Sequence, residues 1–485
     1  MNAVLLVLIL GVTTTFWSLV GLGRLVSYQL HAQARHRRQR RWLRRRRRAT
    51  VADQQSDNDL GPLGLIPAGR LTRDDVAVLV AAHNEEMVIA ETIRVAESLV
   101  DVTNIFVASD GSTDATAAIV RAAGANVLEV SPNRGKAGAL AAAIEHFRLC
   151  ERFEAVLLLD ADTHLAPDYL QSALPLFDDP DVVAVAGRAR TIDDRASSSR
   201  LGRFLLAYRE RLYVIVQVLM KFGQAAKWAN AVSIVPGFAS MYRTRALAHI
   251  DVTAPGLVIE DFNMTFEVHA KKLGRIEFHP WAAVAYTQDP DHLGEYIKQV
   301  RRWILGFWQT VRRHHFQASV FWISMVVFIF ELITSSIMFV LVLPAMVATL
   351  LADLIQTINP DPASWTAWLS GMLPPESVLI GVLLPDYLLT IFAACLLRRP
   401  RYLLLGLGFP LMRMLDAALC LRMLPRAFVG RSSGVWVSPT RRANPAAITA
   451  APTRKELPMA GFAMSGLPDE PIDASHALVR QGMVA

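Results

Sequence analysis

Residues 155–164 read Ala-Val-Leu-Leu-Leu-Asp-Ala-Asp-Thr-His, five apolar residues that stop at two aspartates one position apart. An apolar run of that length with polar residues after it fits a strand buried on both faces of a parallel sheet. Two upstream segments repeat the pattern. Val78-Leu79-Val80-Ala81-Ala82 stops at His83-Asn84-Glu85-Glu86, and Ile105-Phe106-Val107-Ala108-Ser109 stops at Asp110-Gly111-Ser112-Thr113-Asp114. Open α/β sheets bind ligands at the carboxyl ends of their strands, so these three ends are the candidate site. Working outward, strands are expected near 76–81, 104–108, 126–129, 155–159 and 182–186, with helices near 86–99, 112–123, 136–148 and 167–177. Gly111 suits a tight turn, and Ser112-Thr113-Asp114 suits the cap of the helix after it. The resulting fold class is α/β with a mostly parallel sheet, spanning 73–315. No Gly-x-Gly-x-x-Gly or Walker loop occurs in this segment, which gives a dinucleotide enzyme or ATPase no support.

The flanks are of a different character. The 485-residue chain is 53% hydrophobic, high for a soluble protein. Residues 1–23 contain no Lys, Arg, Asp or Glu and are long enough to cross a hydrocarbon core of about 30 Å. Positive charge follows this run instead of preceding it, so the expectation is a retained anchor with an external N-terminus. Ten arginines fall between Arg35 and Arg48; without them the formal net charge of +7 becomes −3. Within a 24–72 linker that abuts an apolar span, such a tract is expected to grip anionic membrane lipids from the cytoplasmic side, and no nucleic-acid partner is expected. Cys150, Cys395 and Cys420 form no metal or disulfide pattern and read as packing residues.

Residues 316–397 contain no Lys or Arg, and the tetrad Arg398-Arg399-Pro400-Arg401 follows. Two or three membrane segments are expected in 316–424. The apolar stretch 317–356 would make about 60 Å of helix, too long for one straight crossing, so Pro344 is expected to bend or end the span. Segment 402–424 carries Arg413, Asp416 and Arg422; these charges either pair within their helix or line a polar conduit, and the segment either crosses or re-enters. The polar tail 425–485 is expected to be disordered and cytoplasmic.

Downstream of the strand ends come Gly237-Phe238, Glu260-Asp261 and Gln299-x-x-Arg302-Trp303. With Arg134-Gly135-Lys136-Ala137-Gly138-Ala139-Leu140 these motifs, in this order, resemble the membrane-bound inverting family 2 glycosyltransferases, which include cellulose, chitin, hyaluronan and poly-N-acetylglucosamine synthases. The resemblance covers about 73–312 and implies a GT-A-like nucleotide-diphospho-sugar transferase domain. It departs from the family where Ala81 replaces a proline, Ala141 an asparagine and Ile259 a threonine.

The resemblance implies a UDP-sugar donor held by Asn84, Glu85, Asp110, Lys136 and Asp160, with Asp110 on the uracil. It assigns Asp160 and Asp162 to Mg²⁺ or Mn²⁺. Independently, a diphosphate leaving group needs a hard cation, for which carboxylates are suitable ligands. Asp261 would be the general base with Glu260 beside it, although an aspartate there could also simply cap the next helix. Arg302 would clamp the diphosphate, and Gln299 and Trp303 would face a saccharide or lipid-linked acceptor together with Gly237 and Phe238. Alternatively, helix 292–313 is an interfacial anchor and Pro236–Ser240 a plain turn. Helix 201–222 reads as core packing. The leading functional expectation is a processive synthase of a β-linked glucose or N-acetylglucosamine polymer, coupled to export and integral to the plasma membrane. The alternatives are a single-transfer lipid glycosyltransferase and, less favoured, a non-catalytic scaffold.

Overall fold

The computed structural model describes residues 11–28, 30, 70–192, 199–254, 256–359, 365–368 and 383–429. The Arg-rich tract, most of the Pro-rich stretch after 359 and the tail beyond 429 lie outside them, as do the first ten residues of the expected N-terminal span.

The three quoted segments form adjacent strands. β1 (Val76–Ala82), β2 (Ile105–Asp110), β3 (Asn126–Val130) and β4 (Ala155–Asp160) pair in parallel in the order β3-β2-β1-β4. Every residue of β1 and β2 is buried, which is why both read as unbroken apolar runs. Helices α1 (Ile89–Glu97), α2 (Thr116–Ala122) and α3 (Gly135–His146) join them. Each lies within the expected range to within a few residues. The cap of α2 shifts: Asp114 Oδ1 accepts the Thr116 N–H at 3.0 Å, so the helix begins at Thr116 and not at 112.

Beyond β4 the sheet turns mixed. β6 (Val182–Val185) falls where a strand was expected, but β8 (Ala239–Arg243) inserts antiparallel between β4 and β6, and β9 (Arg275–Glu277) closes the edge. A second sheet, β5 (His164–Leu165), β10 (Val284–Thr287) and β7 (Arg188–Thr191), sits beside it. At two to five residues these strands carry too little periodicity to be read from sequence.

Helix α4 (Arg200–Tyr213) continues as a π-helical stretch to Lys221. The expected packing role holds, but through ions as well as apolar contacts. Arg209, Glu210 and Arg211 are all buried. Arg209 pairs with Asp289 at 3.3 Å. Glu210 meets Arg399 at 3.1 Å and accepts the Tyr402 hydroxyl at 2.5 Å. Arg211 pairs with Asp386 at 2.7 Å.

Four further helices matter: α5 (Glu260–Ala270), α6 (Leu293–Arg313), α7 (Val320–Ile358) and α8 (Leu384–Leu397); α9 (Phe409–Val429) follows. Among the described residues two helices, α7 and the run 401–429, are long and apolar enough to cross a membrane. Pro344 does not end α7, which runs on for 39 residues in all. Among the described residues Arg413, Asp416 and Arg422 form no ion pair with one another. Arg413 reaches Asp386 on α8 at 2.6 Å, while Asp416 accepts hydroxyls from Tyr208 at 2.9 Å and Tyr296 at 2.8 Å. Both partners lie on other elements, a choice that spacing along one helix cannot express. The helix at 12–28 packs on α7, where Glu331 accepts the Thr13 N–H at 2.6 Å and Ser324 the Trp17 indole N–H at 2.8 Å.

Asp386→Ala would strand the Arg211 guanidinium, which is only 1% exposed, without its carboxylate. The expected loss is about 3–5 kcal/mol in detergent-solubilised protein, read by thermal unfolding. Glu91→Ala, which removes the partner of the exposed Arg94, should leave the melting temperature nearly unchanged.

Candidate active site

The ends of β1 and β2 are stitched into one surface. Asn84 adopts a left-handed conformation (φ 56°), which asparagine tolerates. Its Oδ1 accepts the Thr113 N–H at 2.8 Å, and its own N–H donates to Ser112 Oγ at 3.1 Å. Glu85 is buried, its N–H donating to Thr116 Oγ1 at 2.9 Å. Asp110 is fully buried at the tip of β2. One carboxylate oxygen accepts the Arg134 N–H at 2.7 Å; the other, Oδ2, has no hydrogen-bond partner among the described residues. Burial pushes the Asp110 pKa up, against the pull of the Arg134 and Gly135 amides. His83, not singled out from sequence, lies 2.6 Å from the Asp110 carbonyl through Nδ1.

The second half of the site converges on Lys136, in the first turn of α3. Its ammonium lies 2.7 Å from Asp160 Oδ1 and 2.8 Å from Glu260 Oε1, and donates to the Gly237 carbonyl at 3.4 Å. Burial works against its charge, but the two carboxylates outweigh it and raise its pKa. Asp160 is the last residue of β4, with its N–H on the Phe238 carbonyl at 3.0 Å. Gly237 fits closely: a Cβ there would stand 3.1 Å from Glu260 Oε1 and 3.2 Å from Lys136 Nζ. Asp162 follows in the turn after β4 and is mostly buried.

Glu260 and Asp261 open α5. Asp261 Oδ1 accepts the Phe262 N–H at 2.8 Å and Oδ2 the Gly237 N–H at 3.3 Å. The capping alternative is thus partly met, yet the carboxylate is not spent on it. Burial first, then the neighbouring Glu260 charge, raises the Asp261 pKa to about 6, with Lys136 opposing. A carboxylate held near 6 is in the range that suits proton abstraction at neutral pH.

The structure therefore brings together Lys136, Asp160, Gly237, Glu260 and Asp261. It joins the downstream cluster elsewhere. Gln299 accepts from Arg209, whose guanidinium carbon lies 4.2 Å over the Trp303 ring, while Arg302 is exposed. Among the described residues no hydrogen bond or ion pair links Gln299, Arg302 or Trp303 to the carboxylates. Phe238 packs partly buried against the sheet core, leaving Gly237 as the member of that pair within the site. Sequence reading missed Arg209; its only trace there is a charged triplet inside an apolar helix.

A mostly parallel sheet with acidic residues at successive strand ends gives a GT-A-like α/β fold. Residues 77–251 match the family model described as glycosyl transferase family 2. The Bacillus subtilis (strain 168) protein called Probable glycosyltransferase YdaM is 28% identical over 292 residues, covering 55% of this chain and 66% of that protein. A solved structure of the mannosyltransferase PcManGT from Pyrobaculum calidifontis, in complex with GDP-Man and Mn²⁺, matches at 17% identity and a TM-score of 0.41, covering 84% of this chain and 99% of its own. Glucosyl-3-phosphoglycerate synthase from Mycobacterium tuberculosis, solved with Mn²⁺, UDP and glucosyl-3-phosphoglycerate, matches at 20% identity and a TM-score of 0.29, covering 48% of this chain and 79% of its own.

Lys136→Met would remove the cation shared by Asp160 and Glu260. Because Lys136 holds the Asp261 pKa down, that pKa should climb above about 6 in the variant. Titration of the Asp261 carboxylate by NMR in labelled protein checks this, and an unchanged or lower value contradicts it.

Proposed function

We propose that the chain is an inverting glycosyltransferase working at a membrane surface, moving a sugar from a UDP-sugar to the end of a growing β-linked saccharide. The observation that supports it most is the Lys136 bridge, which sets the donor-side carboxylate Asp160 one ammonium away from Glu260 and the half-buried Asp261. The unpartnered Asp110 Oδ2 is the acceptor for an N–H of the nucleotide base, and Asn84 and Glu85 shape that turn. Lys136 faces the diphosphate. Asp261 removes the proton from the acceptor hydroxyl opposite the leaving group, which inverts the anomeric centre.

The donor set is suited to a divalent cation that arrives with its substrate. Among the described residues no group of three or more His, Cys, Asp and Glu is arranged as a metal cage. Mg²⁺ is commonly held by one or two carboxylates together with substrate phosphates, and Asp160 and Asp162 would supply these. When bound, Mg²⁺ or Mn²⁺ would neutralise charge developing on the departing diphosphate.

On this reading residues 1–23, α7 and 401–429 belong to the membrane, with the catalytic domain on its cytoplasmic side and the Arg-rich linker against anionic lipid. The exposed apolar side chains of α7, among them Ile323, Phe330, Leu341 and Leu354, support it. Arg302 serves the diphosphate, and Gln299 and Trp303 the acceptor, with Arg209 fixing both.

Three outcomes are expected with purified protein, a panel of UDP-sugars and Mg²⁺ or Mn²⁺. Chelator abolishes transfer, metal restores it and Asp162→Ala mimics its loss; full activity in excess chelator sinks the metal assignment. Asp261→Asn lowers turnover by about 10²-fold or more while UDP still binds. Wild-type turnover rises as pH increases through about 6, where Asp261 loses its proton. Product length separates a polymer from a single transfer: Trp303→Ala should shorten the chains, and a one-sugar product from the wild type overturns the polymer reading.

A further inference from the structure

The helix that carries Gln299 and Trp303 also touches the segment that carries the base. Six residues after Trp303, Gln309 is buried, at 2% exposure, and its Oε1 accepts the Val258 N–H at 3.0 Å. One turn earlier Gly306 lies against Ile259: a Cβ there would stand 2.9 Å from Ile259 Cβ and 3.0 Å from Cγ1. The helix end grips the far side as well, where His314 Nε2 lies 2.9 Å from Asn263 Oδ1 on α5. The dipeptide Glu260-Asp261 is therefore held on both sides, at Val258-Ile259 before it and at Asn263 after it, by one helix.

Such bracing matters because the backbone changes character here. Ile259 is extended (φ −139°, ψ 129°) and α5 starts at the next residue without a side-chain cap from Ile259. The Val258 N–H lies in a half-buried stretch outside regular secondary structure, and a backbone amide shielded from water is costly to leave unpaired. Gln309 supplies that partner from another element. It fixes where the strand-like segment ends, and so where the first turn of α5 points its carboxylates.

We propose that Gln309 is a positioning residue for Asp261, acting through the Val258 backbone, and that α6 ties the acceptor cluster to the base as one rigid piece. From Gln299 to Gln309 the helix rises about 15 Å. Its N-terminal half is clasped by Arg209 and its C-terminal half holds the base segment. A shift of α6 when an acceptor engages Trp303 is thereby passed to Asp261 without any contact between the two side chains. In the donor half of the site, Asp110 and Asp160 end strands of the parallel sheet and Lys136 opens α3; none of the three bonds to Gln309.

This inference rests on the assignment of Asp261 as base, and two variants test it. Gln309→Leu removes the acceptor of the Val258 N–H at similar volume; Gly306→Ala presses on Ile259 and displaces the same segment from a second point. For each, kcat, donor KM, UDP affinity in the presence of Mg²⁺ and melting temperature are measured in the full chain. The expected result in both is a kcat lower by about tenfold or more, with donor KM and UDP affinity within about twofold of wild type, since misplacing a catalytic group by a fraction of an ångström is enough. An unchanged kcat in a folded variant overturns the proposal, and so does a kcat loss matched by an equal loss of UDP affinity. If Gln309→Leu does not fold, Gly306→Ala decides alone by the same criteria. Absence of sugar transfer in the wild type would count against the transferase reading instead.

Discussion

Three consecutive buried charges, Arg209-Glu210-Arg211, hold the molecule together. Each points to a different segment: Arg209 to Asp289, Glu210 to Arg399 and Tyr402, Arg211 to Asp386. A helix turns by about 100° per residue, so three neighbours fan out over most of its circumference and can tie three elements to one axis. The cost is desolvation, which buried ion pairs repay only when geometry and extra hydrogen bonds are good. Here both Asp386 and Glu210 receive two cationic partners. The clamp sets the catalytic domain against α8 and the 401–429 run, and through Arg209 it also fixes the face of α6 that carries Gln299 and Trp303.

The site depends on a second compromise of the same kind. Glu260 and Asp261 are adjacent carboxylates at a mostly buried helix start, and like charges so placed disfavour full ionisation. Lys136 offsets this from the opposite side. With Asp160 as its other partner, the ammonium balances negative charge that belongs to two different halves of the domain. On the proposed reading, a lysine between a donor-side carboxylate and one beside the base suits an anionic diphosphate and a cation together.

Much of the fold was legible along the chain. Strands β1, β2 and β4 are buried on both faces, so their residues had to be apolar without interruption, and their polar ends had to be where the runs stopped. The positions of the carboxylates Asp110, Asp160 and Asp261 were legible for the same reason: each terminates or follows an apolar run. Arg209 and Gln309 were not legible. Each is one polar residue on a helix whose partner lies far off in sequence, 80 residues away for Asp289 and 51 for Val258. The charges Arg413 and Asp416 show the same limit, since their spacing allowed them to pair and the structure gave both partners on other elements.

The sequence by itself determined the elements and their polar ends, because burial on two faces leaves a one-dimensional record in hydrophobicity. It also determined that a segment near 317–356 would be almost wholly apolar. Only the tertiary structure decided which charges meet. It placed Lys136 between Asp160 and Glu260, set Arg209 over Trp303 and joined Gln309 to the Val258 amide, because ion pairing and backbone capping depend on distance in space, and chain order does not encode that distance.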